Sequence, residues 1–114
     1  MKQENYVKGK YGEALAENYL RKQKYKILER NYKNKIGEID LIAEDKNVLV
    51  FVEVKYRTSA QFGLPSEAVN YYKIQKIQKT AILYLQTNKL EDAEIRFDVI
   101  DILGEEITHI KNAF

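Results

Sequence analysis

The feature that most constrains the fold is a pair of apolar segments that lie close together and carry charged residues inside them. The segments span residues 38–45 and 48–57, and only Lys46 and Asn47 separate them. Their alternating pattern and their content of Val, Ile, Leu and Phe predict two β-strands joined as a hairpin. Lys46-Asn47 is a weak type I′ turn sequence, which leaves a longer loop with a bulge as the alternative.

A two-residue turn determines which residues of this hairpin face each other. Asp40 is then opposite Glu53, and Glu38 is opposite Lys55, with the Cβ atoms of each pair about 5 Å apart. The other face is almost wholly apolar and is expected to pack on a helix. That face consists of Ile39, Leu41, Ala43, Val48, Val50, Val52, Val54 and Tyr56. A one-residue slip would separate Asp40 from Glu53, so the clean apolar face favours the stated register.

Ionised side chains within buried strands are costly unless they are paired, neutralised or bound to a metal ion. Two facing carboxylates repel each other, so either one holds a proton or a cation lies between them. Ligands that are all oxygen favour a hard divalent ion such as Mg²⁺, Mn²⁺ or Ca²⁺. With Lys55 nearby to orient a water or stabilise a phosphate, the set suits metal-assisted phosphodiester hydrolysis. The alternative is an ordinary cross-strand salt-bridge cluster on a half-exposed sheet.

The spacing of the charged residues resembles a known nuclease signature. Asp40, twelve intervening residues and Glu53-Val54-Lys55 resemble the D…ExK signature of the restriction-endonuclease-like superfamily. Together with further segments, this pattern resembles the YraN family, a bacterial family placed with these nucleases, over nearly the whole chain. The further segments include Gly12-Glu13, Arg30-Asn31, Gly37–Ala43, Phe51–Arg57, Gly63 to Val69, Lys73 to Ile77 and Arg96–Ile100. Archaeal Holliday-junction resolvases are similar at a greater distance.

The resemblance implies a role for each matching residue. Asp40 and Glu53 would be ligands of one or two Mg²⁺ or Mn²⁺ ions, with the carbonyl of Val54 as a further ligand, and Lys55 would be the catalytic lysine. Glu13 matches an extra catalytic acid that resolvase-like members carry on their first helix. The residues alone leave two interpretations of Glu13, since it either tips into the cleft or is a surface acid early in a helix.

The remaining pattern predicts one α/β domain over residues 1–114, with a restriction-endonuclease-like αβββαβ core and a mixed central sheet flanked by helices. The predicted elements are a helix over about 8–24, a strand over 25–32, the hairpin, a helix over 66–87 capped by Ser66, a strand over 93–103 and an edge strand over 105–110. Asp98 is expected to pair with Arg96 or a neighbouring lysine, or instead to lie near the cleft. His109, the only histidine, is expected to be an exposed strand residue.

Charge is distributed unevenly along the chain. Residues 1–35 carry ten basic and four acidic side chains, whereas residues 36–114 carry nine basic and thirteen acidic ones. A basic segment beside an acidic metal site suits a polyanion, although basic segments are often only solvated surface. Lys73, Lys76 and Arg57 are the candidate nucleic-acid-binding residues. Lys73, Lys76 and Lys79 recur every three residues and form either a phosphate-binding stripe or the wet face of an amphipathic helix. Tyr56, Tyr71 and Tyr72 are able to stack bases, but packing in a core or at a dimer interface is commoner for tyrosine.

Composition excludes several classes of protein. The chain has no cysteine, so disulfides, thiolate zinc sites and cysteine nucleophiles are ruled out. No signal peptide is visible and the apolar runs are too short to span a bilayer, which predicts a cytoplasmic protein without a membrane partner. A small domain cannot enclose a duplex, which leaves a homodimer open.

The function predicted from these features is metal-dependent cleavage of DNA, with branched or structured DNA as a candidate substrate. Two rival functions remain. The first is a non-catalytic nucleic-acid-binding module of the same fold. The second is a protein-interaction adaptor whose acidic patch recruits a partner.

Overall fold

The structure, a computed structural model, describes residues 2–58 and 70–114, with side chains from residue 9 onward. Its elements are α1 (Lys2–Lys22), β1 (Lys26–Lys33), β2 (Glu38–Asp45), β3 (Val48–Arg57), α2 (Tyr71–Thr87), β4 (Ile95–Leu103) and β5 (Glu106–Ile110). The predicted order of helices and strands is confirmed, including the short last strand. None of the helices in this part of the chain is long and apolar enough to cross a membrane.

The strands form one mixed sheet in the order β1-β2-β3-β4-β5. Among the strands of residues 2–58 and 70–114, only β3 and β4 are parallel neighbours. The helix α2 lies in the connection between them, as parallel neighbours require a crossover. Successive residues of β3 point to opposite faces: Val50 and Val52 pack with Ala16 and Leu20 of α1. Leu49 and Phe51 pack instead in the cluster that contains the buried residues of α2. The sheet is therefore flanked by one helix on each face, as predicted.

The central hairpin has the predicted register as far as its ladder extends, but the predicted pairs Asp40–Glu53 and Glu38–Lys55 lie beyond the ladder, and Glu38 is exposed and paired with Lys33 instead. β2 pairs with β3 from Asp45–Val48 to Leu41–Val52. Lys46 and Asn47 have φ values of 49° and 72°, the left-handed conformations that a type I′ turn requires. The two-residue turn is therefore confirmed, and the alternative of a longer loop is wrong.

Ile39 is a correction to the predicted faces. It was expected to share a face with Leu41 and Val52, which pack beside α1, but it packs in the cluster beneath α2. Arg30 of β1 pairs with Leu41, and Tyr32, which also packs in the α2 cluster, pairs with Ile39. The alternation of side chains therefore breaks in both strands between these two pairs, where Asn31 has a φ of 50°. Asp40 lies at this irregularity, which period-two reasoning does not allow for.

The start of α2 also differs from the prediction. The helix begins at Tyr71 with Asn70 as its N-cap, whose Oδ1 accepts a hydrogen bond from the Lys73 N–H at 2.9 Å. Asparagine and serine are both good caps, so composition alone does not choose between them. Ser66, the predicted cap, lies outside the described residues.

The first strand of the sheet, β1, is an edge strand with a polar surface. Five of its eight side chains are exposed. Its pairing with β2 shifts between Ile27 and Glu29, which places a bulge at Leu28. On the other edge, β5 has only five residues.

A close approach brings α1 to the sheet near Glu13. A Cβ atom at Gly12 would lie 2.6 Å from the Cβ of Tyr56, a distance that real side chains do not tolerate. Glycine therefore allows α1 to contact β3 directly at this point. This contact places the next residue, Glu13, beside the end of the hairpin.

A buried polar cluster surrounds Asp98 of β4. The Asp98 carboxylate, which is fully buried, accepts hydrogen bonds from Arg96 at 2.8 and 3.0 Å and from the Asn112 N–H at 3.0 Å. His109 Nε2 lies 2.6 Å from Asp98 Oδ2, and His109 Nδ1 lies 3.2 Å from the Tyr19 hydroxyl. The pairing of Asp98 with Arg96 is confirmed. The exposed position predicted for His109 is wrong, because its side chain is buried between β4 and α1.

Candidate active site

A cleft of about 360 Å³ lies where β2 and β3 meet α1 and α2. Its lining residues are Gly9, Glu13, Asp40, Glu53, Val54, Lys55, Tyr56 and Lys73. The four predicted catalytic residues and the three predicted metal ligands are all in this set. The strand ladder explains the convergence, because Asp40 and Glu53 lie just beyond its last pair, Leu41 and Val52.

The two carboxylates of the cleft are held in different ways. Asp40 is partly buried, and its Oδ2 accepts a hydrogen bond from the Val54 N–H at 2.8 Å. Glu53 is buried in β3. Burial and then the charge of Glu53 raise the pKa of Asp40 to about 7, although the Val54 hydrogen bond opposes this shift. Without a cation, Asp40 therefore keeps its proton to a higher pH than an ordinary aspartate does, which is one of the two outcomes expected for facing carboxylates.

Two lysines contact one oxygen of Glu53. The Nζ of Lys73, on α2, lies 3.0 Å from Glu53 Oε1, and the Nζ of Lys55 lies 3.6 Å from the same atom. Burial and the neighbouring Lys73 lower the pKa of Lys55. Burial by itself would lower the pKa of Lys73. The contacts of Lys73 with Lys55 and Glu53 have the larger combined effect, so its pKa is raised. Lys73, predicted to bind nucleic acid, thus lies inside the cleft.

Glu13 faces the cleft from α1. With its amide oriented to satisfy both polar atoms, Asn31 donates to Glu13 Oε1 at 2.9 Å and accepts from Lys10 Nζ at 2.9 Å. Burial raises the pKa of Glu13, and the charge of Glu53 adds to this effect. Of the two interpretations of Glu13, the structure favours the one in which this residue belongs to the cleft.

The oxygen donors of the cleft are few. Within residues 2–58 and 70–114, no group of three or more His, Cys, Asp or Glu side chains is arranged to hold a metal ion. Asp40 and Glu53 supply two carboxylates, and the Val54 carbonyl is a further candidate donor. This all-oxygen chemistry suits a hard divalent cation, provided that Lys73 leaves Glu53.

The other predicted nucleic-acid-binding residues lie outside this set. Lys76 is exposed on α2 and lines a separate groove. Arg57, at the end of β3, does not line the cleft. Its charge instead acts on Asp101 of β4, where it opposes the rise in pKa that burial causes.

Asp101 is a residue that the sequence reasoning missed. It is buried, it pairs in register with Lys55, and its Oδ1 has no hydrogen-bond partner in the described part of the chain. Burial raises the pKa of Asp101, and the charge of Lys55 offsets only part of this rise. The criterion that identified Asp40, a carboxylate inside an apolar strand, also applies to Asp101 and could have found it.

The raised pKa of Asp40 gives a testable pH dependence of stability. A carboxyl whose pKa is higher in the folded than in the unfolded state stabilises the fold below the unfolded pKa, and this contribution is lost as the pH rises through the folded pKa, here from about 4 to about 7. Asp40→Asn removes this loss, so without metal the variant should gain on the order of 4 kcal/mol over wild type between about pH 4 and about pH 8. Urea unfolding with a chelator measures it.

Glu38→Gln is the matched control, because Glu38 begins the same strand but is exposed and paired with Lys33. The stability of this variant relative to wild type should not change over that range. An Asp40→Asn variant that gains no stability at the higher pH would contradict the assignment.

Known proteins of similar sequence align with almost the whole chain. The model of a family described as "Uncharacterised protein family UPF0102" matches residues 12–102, which include every cleft residue except Gly9. A UPF0102 protein of Persephonella marina is 46% identical over 96% of this chain and 95% of its own length. One from Caldanaerobacter subterraneus subsp. tengcongensis is 52% identical over 93% of both chains. One from Clostridioides difficile is 48% identical over 96% of this chain and 98% of its own.

Proposed function

The chain belongs to the UPF0102 family, the YraN-like family that its motifs resemble, and we propose that it is a metal-dependent nuclease of the restriction-endonuclease-like superfamily. Its substrate is DNA, and branched or otherwise structured DNA is the form we favour. One observation carries the proposal: Asp40, Glu53 and Lys55, from two neighbouring strands, line a single cleft. Two carboxylates beside an ammonium group are the minimal protein set for metal-assisted phosphodiester hydrolysis.

The carboxylates are the proposed metal ligands. Asp40 and Glu53, with the carbonyl of Val54, would hold one or two Mg²⁺ or Mn²⁺ ions. A bound ion would polarise the scissile phosphate and offset its developing charge. Burial and then repulsion by Glu53 raise the pKa of Asp40, and this repulsion supports the role because a cation between the two groups would relieve it.

Lys73 is proposed to exchange partners when the site is loaded. In the structure its ammonium group occupies Glu53 Oε1 at 3.0 Å. A metal ligand cannot also keep this ion pair at full strength, so Lys73 would be released toward the cleft. An ammonium group in that position is able to contact a substrate phosphate, which preserves the predicted role of Lys73 in binding nucleic acid.

Lys55 and Glu13 are proposed to act on protons and charge. Lys55 is mostly buried, and its lowered pKa makes it a readier proton donor than an exposed lysine. We assign it to alignment of the attacking water and to stabilisation of the phosphate charge. Glu13 has a raised pKa, which brings it closer to the range in which a carboxyl exchanges protons with water near neutral pH.

A cleavage assay tests the proposal. Linear, flapped and four-way DNA are incubated with Mg²⁺ or Mn²⁺ and with either the wild type or Asp40→Asn. We expect the wild type to cleave at least one substrate and the variant to cleave it about 100-fold more slowly or worse. Equal cleavage by the variant would point to a contaminant. Calorimetry with Mn²⁺ should show weaker binding to Asp40→Asn, and unchanged affinity would contradict the assigned ligand.

The second candidate is a nucleic-acid-binding module of the same fold that does not cleave. It is favoured by the pairing of Glu53 with two lysines, which leaves few open oxygen donors in the described cleft. Such a module would bind DNA with a steep salt dependence and would show no cleavage with either metal. A protein-interaction adaptor, the remaining rival, would bind no nucleic acid even at low salt.

A further inference from the structure

A second groove, outside the cleft, lies between α2 and the turn that joins β1 to β2. It has a volume of about 140 Å³ and is lined by Ile36, Tyr72, Gln75, Lys76 and Lys79. The four α2 residues are spaced i, i+3, i+4 and i+7, so they form one continuous stripe along the helix. We call this surface the α2 groove.

The walls of the α2 groove are held in place by the turn itself. Asn34 Nδ2 donates to the Thr80 carbonyl at 3.2 Å, and Asn34 Oδ1 accepts from the N–H groups of Ile36 and Gly37. A Cβ at Gly37 would lie 2.8 Å from Thr80 Oγ1 and 3.4 Å from the Lys76 side chain. Because glycine permits this contact, the turn lies directly on α2 and the groove is formed without a ligand.

The groove presents an aromatic face among basic groups. Tyr72 is 73% exposed, and its neighbour Tyr71 is 74% exposed. Lys76 and Lys79 are also exposed, and none of the described residues that line the groove is acidic. Aromatic faces beside a track of positive charge are the combination with which proteins bind single-stranded nucleic acid, by stacking bases and contacting phosphates.

The size of the groove favours a nucleic-acid base over a drug-sized small molecule as its ligand. Sites for drug-sized ligands usually enclose about 300–1,000 Å³, which is more than the α2 groove offers. An open ring face of this size suits one base laid against Tyr72, with the backbone continuing over the surface. A paired base cannot take this position, because both of its faces are stacked within the duplex.

We propose that the α2 groove binds an unpaired stretch of DNA, with a base stacked on Tyr72 and the adjoining phosphates contacted by Lys76 and Lys79. The inference rests on the proposed function for nucleic acid as the substrate, and it narrows that substrate to DNA with a single-stranded segment. Lys73 follows Tyr72 directly and contacts Glu53 at 3.0 Å. One turn of α2 therefore faces both the cleft and the groove, which places the unpaired segment next to the cleavage site.

Binding without metal tests the inference independently of cleavage. Fluorescence anisotropy with a chelator compares a labelled single-stranded DNA with the same strand annealed to its complement. Tyr72→Ala should weaken single-strand binding about tenfold and leave duplex binding unchanged. Tyr72→Phe keeps the ring and should bind as the wild type does. Ile82→Ala, which removes another exposed apolar side chain from α2, is the control and should change neither affinity.

Three results would overturn the inference: a wild type that does not bind the single strand, a Tyr72→Ala variant with unchanged affinity for it, or a variant that loses affinity for both forms equally. Circular dichroism melting of each variant verifies its fold. If the selective loss is seen but no metal supports cleavage, then the α2 groove stands and the nuclease proposal fails.

Discussion

Replacing Lys55 with methionine is expected to slow DNA cleavage by about 100- to 1,000-fold while leaving Mn²⁺ affinity at least as high as in the wild type. The ammonium group of Lys55 lies 3.6 Å from Glu53 and points into the cleft, where it is proposed to align water and stabilise charge. Methionine keeps most of the side-chain volume but removes the charge. Because that charge also repels a cation near Glu53, its loss should not weaken metal binding.

The contrast between rate and affinity separates Lys55 from the metal ligands, because Asp40→Asn should impair both. Lys26→Met is the matched control, since Lys26 is an exposed lysine of β1 outside the cleft. It should leave the rate unchanged. Single-turnover cleavage and Mn²⁺ calorimetry supply the two readouts. If Lys55→Met cleaves within about threefold of the wild type, the lysine has no catalytic role.

Replacing Asp98 with alanine is expected to destabilise the protein by about 3–5 kcal/mol, because the substitution leaves Arg96 and His109 without their buried partner. Arg96 donates two hydrogen bonds to Asp98, and His109 Nε2 lies 2.6 Å from it. Burial works against the charge of Asp98, but the hydrogen bonds from His109 and Arg96 outweigh it and lower the pKa to about 2. Urea unfolding at neutral pH measures the loss.

The surface provides a control for this prediction. Glu17 of α1 is also paired with two arginines, Arg21 at 2.9 Å and Arg30 at 2.6 Å, but these arginines are exposed. Glu17→Ala should therefore cost no more than about 1 kcal/mol. Should Asp98→Ala fail to fold, Asp98→Asn retains the volume and one acceptor and should show a smaller loss. Similar losses for Glu17→Ala and Asp98→Ala would contradict the buried role.

The cluster around Asp98 also determines how the free energy of unfolding falls at acid pH. The pKa of Asp98 is lower in the folded state than in the unfolded state, so its contribution is present above the unfolded pKa. That contribution is lost as the pH falls from about 4 to about 2. Asp40 acts in the opposite sense and at higher pH, so the two carboxyls limit stability from different sides.

The hairpin was predictable because its determinants are local. Period-two alternation and a two-residue turn were enough to place Asp40 and Glu53 on neighbouring strands beyond Leu41 and Val52, where the structure has them. Sequence pattern also predicted the order of elements and a helix on each face of the sheet. Ile39 was misplaced because the strands break their alternation at Asn31, whose φ of 50° leaves no mark in a hydrophobic pattern.

Residues whose partners are distant in sequence were the ones that pattern could not place. His109 is buried by Tyr19 and Asp98, ninety and eleven residues away. Lys73 looked like part of a surface stripe, because helical spacing says nothing about which strand the helix covers. Its contact with Glu53 depends on how α2 crosses the sheet. The resemblance to a nuclease family identified the cleft residues, but not this ion pair.

The two free margins of the sheet bear on how copies of the protein could associate. β1 is bulged at Leu28 and mostly exposed and polar, and β5 is only five residues long. Bulges, charges and short strands discourage the addition of a further strand to a sheet. Both edges of the sheet therefore disfavour a homodimer built as one continuous sheet, and they disfavour edge-to-edge aggregation for the same reason.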